Sequence, residues 1–239
     1  MLKKVKKLTK SLFRLCGLDI RRVDPTENNY VWLAKHNISA VLDIGANTGQ
    51  FAQMIHKILP HAAIFSFEPI EGCYNHLVKN MINVPNFHAF NYALGDTDTN
   101  MQMHVKDYTP SSSLLPMADL HVQAFPYTAN EHIEEVKIRR LDEVAQELDF
   151  AGNLLVKIDV QGYEDRVIRG GQNVISQAKV LIVETTFERL YDGQLLWKDI
   201  FDLLSNMGFR YMGNFSQMKS PLDGSILQAD SIFLKKLVE

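Results

Sequence analysis

From about residue 40 the chain alternates short apolar runs with longer stretches of mixed polarity. Ala40 to Ile44, Ala63 to Phe67, Phe87 to Ala93, Leu154 to Val160 and Val180 to Glu184 are nearly continuous apolar runs, as strands covered on both faces of a parallel sheet must be. Phe51 to Leu59 and Asp165 to Ile175, lying between such runs, have helical spacing. Trp197 to Met207 predicts another helix, and Phe209 to Met212 with Ser231 to Lys235 predicts an antiparallel pair closing one sheet edge. The pattern is that of a doubly wound α/β domain with a mostly parallel, Rossmann-like sheet. Residues 94–153 are too many for one crossover and hold two more strand-like runs, Met101 to Val105 and Val136 to Arg140, so they read as an insertion between strands three and four. Within it Ser111-Ser112-Ser113-Leu114-Leu115-Pro116 passes from polar to apolar, either as the cover of an acceptor site or as a plain surface loop.

Ahead of the sheet, Val5, Leu8, Leu12 and Leu15 fall on one helical stripe among Lys3, Lys4, Lys6, Lys7, Lys10 and Arg14. Asp24-Pro25 ends this basic amphipathic helix, and Tyr30 to His36 predicts a second short helix. The division expected is an N-terminal helical extension, 1–36, and one domain, 37–239. Residues 1–22 hold eight basic side chains and one acid, a net +7 that leaves −10 on the rest of a chain totalling −3. So acidic a body argues against a nucleic-acid partner. The basic helix has two readings: peripheral contact with an anionic membrane at the inner face, or packing of its apolar stripe on the domain or a second subunit. The pattern leaves the oligomeric state open. Cys16 and Cys73 stand far apart without a C-x-x-C motif, which suits a reducing cytoplasm and suggests neither a disulfide nor zinc. No apolar run reaches the roughly 18 residues of a spanning helix.

The first strand leads into Asp43-Ile44-Gly45-Ala46-Asn47-Thr48-Gly49, an acid followed by a glycine turn and then a helix. Doubly wound sheets bind nucleotides at such turns. A dinucleotide fingerprint would have glycine at position 47 for close approach to pyrophosphate, and Asn47 stands there instead. Asp43 suits the cationic sulfonium and ammonium of S-adenosyl-L-methionine better than a phosphate. Glu68, ending the second strand, is positioned to accept hydrogen bonds from ribose hydroxyls, and Asn91, ending the third, to face an adenine edge. The candidate cofactor residues are therefore Asp43, Gly45, Asn47, Gly49, Glu68 and Asn91.

These residues resemble the FkbM family of methyltransferases. The resemblance runs through Val41 to Gly49, Phe67-Glu68-Pro69, Asn91 to Asp96, Arg140-Leu141-Asp142, Lys157-Ile158-Asp159-Val160-Gln161-Gly162-Tyr163-Glu164 and Val183-Glu184-Thr185, in order over about residues 40–215. It implies a seven-stranded class I methyltransferase fold and O-methylation, often of sugars, glycans or other secondary metabolites. Gln161 stands where the family commonly has glutamate.

In that setting Asp159, at the end of the fourth main strand, is the first candidate for the base or hydroxyl-orienting group. Lys157 would hold it ionised, lower the acceptor's pKa, or serve as a structural ion pair, and Glu184 at the next strand end would line the acceptor pocket. Glu164, opening a helix, is expected to pair within its own turn. Asp159 and Glu184 could together hold a divalent cation, but no dense aspartate cluster supports this, and His56, His61, His76 and His88 lack ligand spacing, so no metal site is expected. Two other readings stay open: an NAD-linked oxidoreductase, against which Asn47 argues, and a non-enzymatic binding or scaffold protein, which loss of Asp43, Gly49, Glu68 or Asp159 would have favoured.

Overall fold

The computed structural model describes residues 31–236. The basic stripe of residues 2–16, the Asp24-Pro25 break and Cys16 lie outside them. The chain divides into two compact units, residues 1–32 and 33–239, and the fold is that of the second. The short helix expected before the first strand is a 3-10 helix, Val31–His36.

Ten strands follow in chain order: β1 (Ile38–Ile44), β2 (Ala63–Phe67), β3 (Phe87–Phe90), β4 (Ala93–Gly95), β5 (Thr99–Lys106), β6 (Glu131–Arg140), β7 (Asn153–Ile158), β8 (Val180–Thr186), β9 (Phe209–Lys219) and β10 (Ile226–Lys235). Seven of them form the main sheet, ordered β3-β2-β1-β7-β8-β10-β9. Only β10 runs against its neighbours. The order reverses between β1 and β7, which leaves a crevice at their carboxyl ends. The helices are α1 (Gln50–Ile58), α2 (Glu71–Asn80), α3 (Asp119–Ala124), α4 (Leu141–Val144), α5 (Glu164–Gly170), α6 (Gln172–Ser176) and α7 (Trp197–Asn206). Leu42, Ile44, Val156, Ile158, Leu181 and Val183 are all buried. Their removal from water drives the sheet together. No helix among the described residues is long and apolar enough to cross a membrane.

Several elements depart from the pattern reading. Phe87 to Ala93 is not one strand: β3 ends at Phe90, and Ala93–Gly95 joins a second, three-stranded sheet ordered β4-β6-β5. The break falls at Asn91, whose Nδ2 donates to the carbonyls of Glu68 and Pro69 (3.0 and 2.9 Å). Asp165 to Ile175 is two helices, because the chain bends at Gly170-Gly171. A Cβ on Gly170 would stand 1.7 Å from the carbonyl oxygen of Gly95, and one on Gly171 2.7 Å from Leu141. The edge strand β9 and its neighbour β10 are also longer than expected, since each ladder rung lends hydrogen bonds that local propensity does not count.

The stretch after β4 is not loose. β5 and β6 pair along their lengths, and the chain between them returns over the carboxyl ends of the main sheet. Ser111, Ser112 and Ser113 are buried there, each held by a hydrogen bond, so the plain surface-loop reading does not hold.

Candidate active site

The turn after β1 is fixed by backbone. Gly45 and Ala46 N–H both donate to the carbonyl of Phe67 (3.0 Å each), and Asp159 N–H donates to Ile44 (3.0 Å). Gly45 has φ +83°, and a Cβ there would lie 1.8 Å from the carbonyl oxygen of Asp159. Glycine is thus required by the closeness of the two strand ends as well as by the left-handed backbone. Gly49, at φ +90°, would drive a Cβ to within 2.8 Å of Leu77.

Glu68 is buried over this turn, where it accepts from Asn47 N–H (2.8 Å) and Ile70 N–H (2.9 Å). Burial raises its pKa to about 7, against those two hydrogen bonds and with help from the charges of Asp43 and Asp159. Asp43 is fully buried opposite Lys157 in the β1–β7 register. Its Oδ2 accepts from Ser66 Oγ (3.2 Å), whereas its buried Oδ1 has no hydrogen-bond partner. Burial again dominates and raises Asp43 to about 6. Asn47 Nδ2 reaches Thr109 Oγ1 at 3.2 Å, tying the turn to the returning chain. Asn91 is exposed, with its amide committed to the two carbonyls that end β2.

On the other side of the crevice Lys157 Nζ lies 2.8 Å from Asp159 Oδ2. Burial alone would raise Asp159, but the Lys157 charge and hydrogen bonds hold it below its ordinary value. Burial would lower Lys157, yet Asp159 and Asp43 keep its pKa raised. The pair is therefore ionised as a unit. Glu184 is pushed well above the ordinary carboxylate range by burial and then by the charges of Asp159, Glu164 and Asp230. Glu164 does pair within its turn: its carboxylate accepts from Val160 and Gly162 N–H (3.1 and 3.0 Å).

The sequence reading missed Asp230, whose carboxylate lies with those of Asp159 and Glu184, all within 4.8 Å of one another. Asp230 faces Glu184 in the β8–β10 register. The expected strand began at Ser231, five residues after the true start at Ile226 and one past Asp230; a signal was available in the run Gln228-Ala229-Asp230-Ser231, which alternates polar and small residues into an apolar strand. Gln161 and Tyr191 were missed as well. Gln161 Nε2 donates to both Asp159 Oδ1 (2.9 Å) and Glu184 Oε2 (2.5 Å), and the Tyr191 hydroxyl faces Gln161 Oε1 at 2.9 Å. His61, His76 and His88 are exposed and His56 is half-buried, apart from this cluster.

The donor set can be tested against a nucleotide-type cofactor. Asp43, Glu68 and Asp159 repel one another across the turn, and the nearby cation, Lys157, is already paired. A phosphate would add to that repulsion, while a sulfonium or ammonium would relieve it. The buried, unpartnered Asp43 Oδ1 agrees with a missing positive or donor group. The residues fit S-adenosyl-L-methionine.

A seven-stranded sheet in this order, with an acidic glycine turn at the reversal, defines the class I, S-adenosylmethionine-dependent methyltransferases. The sequence model described as "Methyltransferase FkbM domain" matches residues 43–211, and the chain belongs to that family. Among curated relatives it is 29% identical over 171 residues to the 2-O-methyltransferase NoeI of Sinorhizobium fredii, covering 69% of this chain and 70% of the relative. It is 27% identical over 144 residues to Methyltransferase 1 of Beauveria bassiana, covering 55% of this chain and only 58% of that one. The solved structure of TehB from Haemophilus influenzae superposes with a TM-score of 0.48 at 10% identity, over 88% of this chain and 62% of that one. Membership of a methyltransferase family displaces the NAD-linked reading.

Proposed function

We propose that the chain transfers a methyl group to a hydroxyl oxygen, the acceptor being a sugar, a glycan or another small secondary metabolite. The observation that carries the reading is the Asp159 carboxylate, kept ionised by Lys157 at 2.8 Å and lying against the Gly45 turn. S-adenosyl-L-methionine, when bound, supplies an electrophilic methyl group on a cationic sulfur. Asp43, Glu68, Asn47 and the glycines at 45 and 49 would hold it, with Glu68 accepting from ribose hydroxyls once Asn47 and Ile70 share its oxygens.

Asp159 then has a definite task. An ionised carboxylate accepts the acceptor's O–H, fixes the direction of an oxygen lone pair, and takes the proton as the new C–O bond forms. It need not be a strong base, because the hydroxyl becomes acidic only as its oxygen is alkylated. Lys157 keeps Asp159 charged in a dry site, and Glu184, whose two oxygens accept from the Gln161 and Gln228 amides, lines the acceptor side beside it. A relative whose name specifies 2-O-methylation supports oxygen as the atom methylated. Tyr108 and Tyr127, exposed and edge-to-face at 5.4 Å, stand beside the loop that Thr109 joins to Asn47, and their amphipathic rings suit a sugar.

The test is transfer of labelled methyl from S-adenosyl-L-methionine to a panel of free sugars, glycans and hydroxylated metabolites. Transfer to a hydroxyl acceptor supports the reading; transfer only to amines would refute oxygen as the atom methylated, and transfer to none while the cofactor binds would favour the scaffold alternative. We further propose a cytoplasmic site of action, with residues 1–22 meeting an anionic membrane. Unchanged pelleting with anionic liposomes after deletion of 1–22 would remove the membrane contact.

A further inference from the structure

Gln161 occupies the left-handed region at φ +55°, directly before Gly162 at φ +97°. A non-glycine residue there is strained, and such strain persists where the surroundings enforce it. Here four contacts do so. Nε2 donates to Asp159 Oδ1 (2.9 Å) and Glu184 Oε2 (2.5 Å), Oε1 accepts from the Tyr191 hydroxyl (2.9 Å), and the main-chain carbonyl accepts from Ser113 Oγ (2.6 Å). The Tyr191 hydroxyl also lies 3.0 Å from the carbonyl of Ser111.

Two carboxylates drawn this close repel unless a proton, a metal ion or a two-hydrogen donor lies between them. A side-chain amide has two N–H bonds that diverge in one plane, one for each acid. The outer oxygens have their own donors. Lys157 Nζ serves Asp159 Oδ2 (2.8 Å), Gln228 Nε2 serves Glu184 Oε1 (2.5 Å), and Ser216 Oγ bonds Asp230 Oδ2. Asp230 completes a set of carboxylate oxygens within 4.8 Å of one another, close enough to share a cation. The Gln161 amide lies between two members of that set, Asp159 and Glu184.

We propose that Gln161 is the positioning residue of the acceptor site: its amide takes the place of a divalent cation between Asp159 and Glu184, and its main-chain carbonyl, accepting from Ser113 Oγ, ties both acids to the 111–113 loop. The proposal rests on reading Asp159 as an acceptor-side group. It makes the pair's geometry independent of metal and dependent on the contact with the 111–113 loop.

The experiment is a Mn²⁺ titration of the full chain, followed by the loss of the free-ion paramagnetic resonance signal, for wild type, Gln161→Ala and Gln161→Glu, with circular dichroism confirming the fold of each. Wild type should have no site tighter than about 1 mM. Gln161→Ala opens the inner position and should gain a site, and Gln161→Glu, which adds a carboxylate and removes the donor, should bind at least about tenfold tighter than Gln161→Ala. Adding Asp230→Asn to Gln161→Glu should weaken it again. Wild-type binding as tight as that of the variants, or no gain in either, would overturn the proposal. The readout is separate from methyl transfer: an unchanged turnover of Asp159→Asn would sink the functional reading and leave the Mn²⁺ series intact.

Discussion

Asp159 and Glu184 carry the same functional group at adjacent strand ends, and their surroundings drive them apart. Lys157 neutralises one at 2.8 Å, whereas the other faces Asp159, Glu164 and Asp230. Divided roles for paired carboxylates follow from such divided environments. Asp159→Asn keeps the shape and removes the charge, so cofactor affinity should stay within about threefold while methyl transfer falls by about 10² or more; single-turnover assays beside calorimetry will separate the two. Glu68 gives a pH signature. Its pKa of about 7 in the ligand-free protein means that it is largely protonated at pH 6 and ionised at pH 8. A carboxylate accepting ribose hydroxyls must be ionised, so S-adenosylhomocysteine should bind up to about tenfold more tightly at pH 8 than at pH 6. Glu68→Gln should weaken binding and flatten that dependence; a wild-type affinity level across this range would mean that Glu68 does not touch the ligand.

The turns after β1 and β7 are the elements that build the site, and they are built against each other. Gly45 and Gly193 have nearly the same φ, +83° and +84°, but a Cβ would strike Asp159 backbone at 1.8 Å in the first case and meet nothing within 4 Å in the second. Alanine at 193 should therefore cost only the left-handed strain, about 1 kcal/mol. Alanine at 45 should cost roughly 3 kcal/mol or more, because neither strand end can move without breaking sheet hydrogen bonds. Urea denaturation of the two variants measures the difference directly. Equal losses would mean that β1 and β7 part more easily than their ladder implies. The loop from Thr109 to Met117 belongs to the same assembly. It reaches Asn47 through Thr109 and Gln161 through Ser113, so one segment touches both sides of the crevice.

For the whole molecule, the cost of gathering so many acids appears as a pH dependence of stability. Asp43, Glu68 and Glu164 have pKa values of about 6, 7 and 7 when folded, above their unfolded values. Between those limits the folded chain holds more protons than the unfolded one, so stability falls as pH rises through the window and is fully lost to these groups above about 7. His121, buried with its pKa lowered to about 4, works the other way below its unfolded value of 6.5. Three acids outweigh one histidine, and the ligand-free protein should melt roughly 2–4 °C higher at pH 6 than at pH 8. Saturating S-adenosylhomocysteine should raise Tm more at pH 8, where its affinity is greater. A Tm that rises from pH 6 to pH 8 without ligand would show that these carboxyls are better solvated than their burial implies.

Much of this was legible in the chain. Unbroken apolar runs such as Val180 to Glu184 have no stable place but a sheet covered on both faces, and Asp43, Gly45, Gly49 and Glu68 occur at strand ends at spacings that the linear pattern itself reveals. Local chemistry also foretold that Glu164 would cap its own turn. What the linear pattern could not hold was which strand ends meet. Asp230 lies 46 residues beyond Glu184 and joins it only because β10 inserts antiparallel between β8 and β9. Gln161 read as a departure from a family pattern until the fold brought Asp159, Glu184 and Tyr191 around its amide. The sequence by itself determined the class of sheet and the acidic glycine turn after its first strand, because both follow from short-range periodicity and spacing. Only the tertiary structure decided the carboxylate cluster of Asp159, Glu184 and Asp230, because its members are joined by strand register, which is a property of pairing and not of any one segment.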